Sequence, residues 1–140
     1  MSSEYLENRM YEMLNEHLSH RPFHIKRLAS VCSGMQLART TQISQVANWI
    51  NKETQRDSRE RFLRRFLMSP YFNQEATYYP LVRAALRGYK APEWHLILDR
   101  TNLDKHRLDL LMISLAFRKR AIPLGWQIRP FGGTGSKWFS

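Results

Sequence analysis

Apolar residues recur at helical spacing through the first part of the chain and in unbroken short runs after it. Tyr5, Leu6, Met10, Met13, Leu14 and Leu18 lie near the i, i+3, i+4 and i+7 positions of one helix face, and His20-Arg21-Pro22 predicts where that helix closes. A second helix is predicted over 25–37, with Ile25, Leu28, Ala29 and Cys32 on one side. Thr40 or Thr41 is placed to cap a third, whose apolar stripe is Ile43, Val46, Ala47 and Ile50. Asp57-Ser58-Arg59-Glu60 reads as a capping box opening a fourth helix that ends near Ser69-Pro70-Tyr71. A fifth is predicted over 75–86, stopping at Gly88.

Beyond residue 90 the period changes. Residues 94–99, 108–117 and 121–128 are apolar runs separated by short polar turns, which predicts three strands joined by two hairpins. The middle run, rich in Leu and Met, also fits a buried helix, because a continuous run has no period. Pro123 argues against helix in the third run and suits an edge strand or a strand start. Runs this apolar call for cover on both sheet faces, and the N-terminal helices are the available cover. From 129 to 140 the apolar pattern is lost and an irregular, glycine-rich tail is expected. The fold class is therefore α+β.

Charge changes the picture more than composition does. Twenty-two Lys and Arg face twelve Asp and Glu, a net charge of +10. Such a chain attracts polyanions, with nucleic acid the first candidate and a plain basic solvated surface the other. Five arginines lie between Arg56 and Arg65. On a helix, Arg61, Arg64 and Arg65 share a face, with Phe62, Leu63, Phe66 and Leu67 opposite. That arrangement offers guanidinium groups to phosphates or guanine edges. With 43–51 as a preceding helix, it makes a helix-turn-helix-like unit. The ordinary alternative is an amphipathic helix with a solvated charged face. His17, His20 and His24 have a metal-like spacing, but Pro22 interrupts the helix that would align them and no thiolate joins them. Trp94, Trp126 and Trp138 suit base stacking or, for the first two, core filling. A single cysteine, Cys32, excludes an internal disulfide, and the acidic N-terminus lacks a secretory pattern. With no apolar run long enough for a bilayer, a soluble cytoplasmic protein is expected, with no membrane partner.

Asp99 stands out because it closes an apolar run at the end of an expected strand, in Leu-Ile-Leu-Asp-Arg-Thr-Asn (96–102). By local pattern alone such an acid is a turn residue bonding nearby backbone N–H groups. The wider segment, Asp99-Arg100-Thr101, then 110–117, then Ala121-Ile122-Pro123-Leu124-Gly125-Trp126, resembles the start of the catalytic core of DDE-type insertion-sequence transposases of the insertion-sequence-four kind. The likeness spans about residues 24–128, since the arginine-rich helix and Tyr78-Tyr79-Pro80-Leu81-Val82-Arg83 look like the helical region preceding that core.

The resemblance implies a helical, helix-turn-helix-like DNA-binding region over 1–90 and the first three antiparallel strands of a ribonuclease-H-like core over 91–128. Asp99 would then be the first catalytic and metal-binding acid of an Asp-Asp-Glu triad. Mg²⁺ (or Mn²⁺) would be the cofactor, double-stranded DNA at transposon ends the partner, and metal-dependent cleavage and strand transfer the reaction. Two Mg²⁺ ions need several converging carboxylates. The sequence has no acid after Ile128, and Asp104 and Asp109 read as turn or strand-edge residues. A truncated chain that holds no metal stably and is inactive alone is expected. Two rival readings are a stand-alone basic helix-turn-helix regulator and an inhibitor that pairs with a full-length transposase. A homo-oligomer is a further possible assembly.

Overall fold

The computed structural model describes residues 2–90 and 94–130. It comprises two compact units, Met1–Ala85 and Leu86–Ser140. The first is helical and the second is a sheet, so the α+β class holds.

In the helical unit, α1 (Ser3–His17) is capped by Ser2, whose hydroxyl accepts from the Tyr5 N–H at 3.2 Å. Helix α2 (Pro22–Ala38) begins on Pro22, a first-turn position where a missing N–H costs nothing. The proline that closes one helix thus opens the next. Helix α2 ends at Arg39, whose φ of 54° is left-handed. The helix expected over 43–51 is shorter. It is one α turn, α3 (Ile43–Val46), tightening into a 3₁₀ turn, Ala47–Trp49. Asn48 and Asn51 have low helix propensity and do not prolong it. Thr40 and Thr41 do not cap it: Gln42 occupies that position, and the Thr40 hydroxyl accepts from the Gln42 N–H at 3.2 Å.

Helix α4 (Arg56–Leu67) starts one residue before the expected capping box. Asp57 lies in its first turn, where a carboxylate favours the helix dipole without capping it. A π turn, Gln74–Tyr78, precedes α5 (Tyr79–Leu86). The Tyr79 N–H reaches back to the Gln74 carbonyl, the i→i−5 bond of a widened turn. Pro80 explains the widening, since its ring crowds the carbonyl four residues earlier and it has no N–H to give.

The core of this unit joins Leu14, Leu18, Ile25, Leu28, Val31, Val46 and Ile50 to Phe62, Leu63 and Phe66. Gly34 on α2 lets the 43–50 segment close, since a Cβ there would stand 2.9 Å from Ile50 Cδ1 and 3.4 Å from Val46 Cγ1.

The sheet unit has the order β1-β2-β3, all antiparallel, from β1 (Leu96–Leu103), β2 (Leu108–Phe117) and β3 (Arg120–Pro130). The middle run is a strand, and β3 is an edge strand, as Pro123 suits. Ser114 pairs with Pro123 and Ile113 with Gly125, so Leu124 is the extra residue of a bulge. Residues 129 and 130 belong to β3 rather than to a tail, while 131–140, with Trp138, lie outside the described residues. On β1, Leu96, Ile97 and Leu98 are 56%, 45% and 64% exposed.

Gly34→Val is expected to cost about 1–3 kcal/mol by overpacking against Ile50 and Val46. The check is a lowered urea midpoint, and an unchanged midpoint would mean that α2 does not close on Ile50.

Candidate nucleic-acid interface

Helix α4 turns by about 100° per residue, so burying Phe62, Leu63 and Phe66 decides where its arginines go. Arg61, Arg64 and Arg65 emerge on the other side, all three exposed. Arg61 Nε donates to the Asp57 carbonyl and Arg65 Nε to the Arg61 carbonyl, both at 3.4 Å. These long bonds lay the side chains along the helix and leave each guanidinium further donors. Arg56 is differently engaged, 3.6 Å from Glu60 and bonded to the Ser44 carbonyl at 3.2 Å. Leu67, expected on the apolar side, is 56% exposed, because it lies beyond the part of that face that the core covers.

A second cationic feature lies beside α4. Phe23, Lys26, Arg27 and Ser30 stand at i, i+3, i+4 and i+7 on α2 and form one wall of a cleft of about 420 Å³. Glu7, Asn51, Lys52 and Phe62 complete it. Lys52 Nζ sits 3.4 Å from the Phe62 ring centroid, and the Arg27 guanidinium lies 5.7 Å from the rings of both Phe23 and Phe62. Burial, and then the nearby Arg27 charge, lowers the Lys52 pKa. Burial raises that of Glu7 above 4.5, against the opposing pull of Lys26 and of a hydrogen bond with the Asn51 side chain. Two polar atoms in this cleft are buried without a hydrogen-bond partner, Glu7 Oε2 and the hydroxyl of Ser30.

In the sheet unit Asp99 is not at a strand end. It lies mid-strand in β1 opposite Met112, exposed, and accepts from the Thr101 hydroxyl at 3.1 Å. The strand continues past it because Arg100, Thr101 and Asn102 all keep ladder partners on β2. Its neighbour Arg100 points to the other face, where Nη2 meets Asp109 Oδ2 at 2.8 Å. Asp109 pairs with Asn102, inside β2 rather than in a turn, and its side chain is wholly buried. A charge so buried needs its cation. This role is absent from the sequence-based expectations, although Asp109 alternating with Leu108 and Leu110 next to an Arg-bearing strand was a usable signal.

Two of the three histidines of metal-like spacing are engaged with other side chains. His20 Nε2 is 2.9 Å from the Thr77 hydroxyl, and His24 stacks on Tyr71 at 4.2 Å. Among the described residues no three His, Cys, Asp or Glu side chains converge on one point. Asp99 with Thr101 therefore does not match the donor set that a two-Mg²⁺ site requires. Trp94 is 36% exposed rather than filling a core, and Trp126 is half-buried. Among the described residues no helix is long and apolar enough to cross a membrane.

Comparison with protein-family models, with curated proteins and with solved structures gives no match for this chain.

Arg100→Ala is expected to cost about 3 kcal/mol by taking the guanidinium from a buried carboxylate. Asp99→Asn should stay within about 0.5 kcal/mol, as exposed positions do. Urea titration followed by the strand signal in circular dichroism separates the two. For Glu7 the sign follows from its raised pKa. The folded state holds the Glu7 proton more tightly, so ionisation costs stability, and that cost is complete only above the folded pKa. Glu7→Gln should therefore raise the melting temperature at pH 7, with the gain disappearing as pH falls below the ordinary carboxylate value. A gain that persists in acid would contradict the assignment.

Proposed function

We propose that this chain is a DNA-binding protein of the DDE transposase class, whose helical unit holds duplex DNA at transposon ends through α4. The observation that carries the reading is the outward-facing Arg61, Arg64 and Arg65 row on a chain of net charge +10. Phosphate contacts of this kind supply affinity and register, and base edges supply the choice of sequence. The class comes from the Asp99-Arg100-Thr101 and Ala121-to-Trp126 resemblance, in which β1 to β3 would begin a ribonuclease-H-like core.

Among the described sheet residues, the mid-strand, solvent-open carboxylate of Asp99 is the group with catalytic potential, since Asp109 is committed to Arg100. One open carboxylate does not assemble two-metal chemistry. In this reading the 140-residue chain binds DNA without cutting it, and breakage and joining require further carboxylates.

Duplex binding should fall steeply with salt, because each neutralised phosphate releases condensed counterions. Replacing Arg61, Arg64 and Arg65 by Ala should reduce the slope of log K against log salt by about 0.9 for each phosphate that is no longer neutralised. Fluorescence anisotropy across a salt series reads this directly, and an unchanged slope would remove α4 from the interface.

A further inference from the structure

We infer that the cleft between α1, α2 and the 51–52 segment binds unpaired nucleotides of a single DNA strand, with an amino-bearing base against Phe23. Three features of the site each ask for a different part of such a ligand. Lys26, Arg27 and Lys52 face one acid, Glu7, so the cleft is electropositive and selects an anion. The Phe23 ring is 68% exposed at its mouth, an unusual position for a phenyl group and a platform for a flat π system. The Ser30 hydroxyl, on a side chain that is only 3% exposed, has no partner, and neither does the buried Glu7 Oε2. An unpartnered buried acceptor is costly and is satisfied by a ligand donor. Negative charge, a π face and an N–H donor occur together in a nucleotide whose base carries an exocyclic amine, cytosine above all. Inorganic phosphate would leave the ring and the carboxylate unused, and an acidic peptide would lack the π face.

A second cleft of about 370 Å³ shares Glu7, Phe23 and Lys26 with the first and continues over Asn8 and Tyr11. Two clefts with one aromatic ring as their common wall fit successive nucleotides of a strand better than one free nucleotide. Bases in a duplex already have both faces stacked, so the strand must be unpaired. The site uses residues separate from the α4 arginines, and it stands or falls apart from duplex binding.

The test measures anisotropy of labelled oligo(dC) and oligo(dT) single strands of equal length, and of a duplex, at one salt concentration. Phe23→Ala should weaken oligo(dC) binding roughly 5- to 100-fold, the range that stacking on an aromatic ring commands, and leave duplex binding unchanged. The wild type should prefer oligo(dC) to oligo(dT). Glu7→Gln should erase that preference, since an amide can also donate to the thymine O4. Both substitutions leave the core intact, which the helix signal and melting temperature verify. Competition by dCMP at concentrations comparable to the oligonucleotide would assign the site to free nucleotides and overturn the strand reading, and its failure to compete would support a strand. Parallel weakening of single-strand and duplex binding in Phe23→Ala, or a dC-to-dT ratio unmoved by Glu7→Gln, would overturn the inference. Single-strand binding that survives the Arg61, Arg64 and Arg65 replacement while duplex binding disappears would separate this site from the α4 interface.

Discussion

Packing of Phe62, Leu63 and Phe66 into the core that holds Leu14, Ile25 and Val31 is the constraint on which the helical unit depends. Burying one such side chain contributes about 1.5–3 kcal/mol, so three on one helix set its rotation firmly. Once that rotation is set, Arg61, Arg64 and Arg65 have one direction available, which is outward. The same packing holds Phe62 where Lys52 and Arg27 rest on its ring, so the core anchors both cationic surfaces. Neither surface exists without the aromatic stripe behind it.

The sheet separates two carboxylates by the alternation of a strand. Arg100 and Asp99 are neighbours in sequence and so lie on opposite faces. Arg100 reaches diagonally across the ladder to Asp109 and neutralises it, and Asp99 stays in contact with water and with Thr101. An acid held in an ion pair is structural, and an acid left open is available for chemistry. A one-residue slip of β1 against β2 would take Arg100 to the other face and bring Asp99 to the face of Asp109, which makes the Arg100–Asp109 pair a register lock as well as a charge pair.

Much of this was legible from residue order because the signals were periodic. The α1 and α2 spacings and the Pro123 anomaly in β3 each point to the element that forms, while the unbroken run of β2, having no period, fitted strand and helix alike. What escaped was set by competition between local and tertiary effects. A capping box at Asp57 looks persuasive, yet Arg56 enters the helix because it pairs with Glu60 and with the Ser44 carbonyl. Asp99 looks like a strand end, yet the ladder to β2 carries the strand on to Leu103. The cleft residues Phe23, Lys26, Arg27 and Ser30 had helical spacing in plain view. They escaped because their face is polar and aromatic rather than apolar, and because Glu7 and Lys52 join them only through the fold.

The proposal that the chain holds DNA and does not cut it rests on Asp99 being, among the described sheet residues, the carboxylate left open for metal chemistry. The most direct measurement incubates the purified protein with supercoiled plasmid and Mg²⁺, following complex formation and nicking in the same sample. The account predicts salt-sensitive complexes and no conversion to open circles. Nicking that requires Mg²⁺ and disappears in Asp99→Ala would contradict it, since a single carboxylate would then be enough for a reaction this account assigns to several.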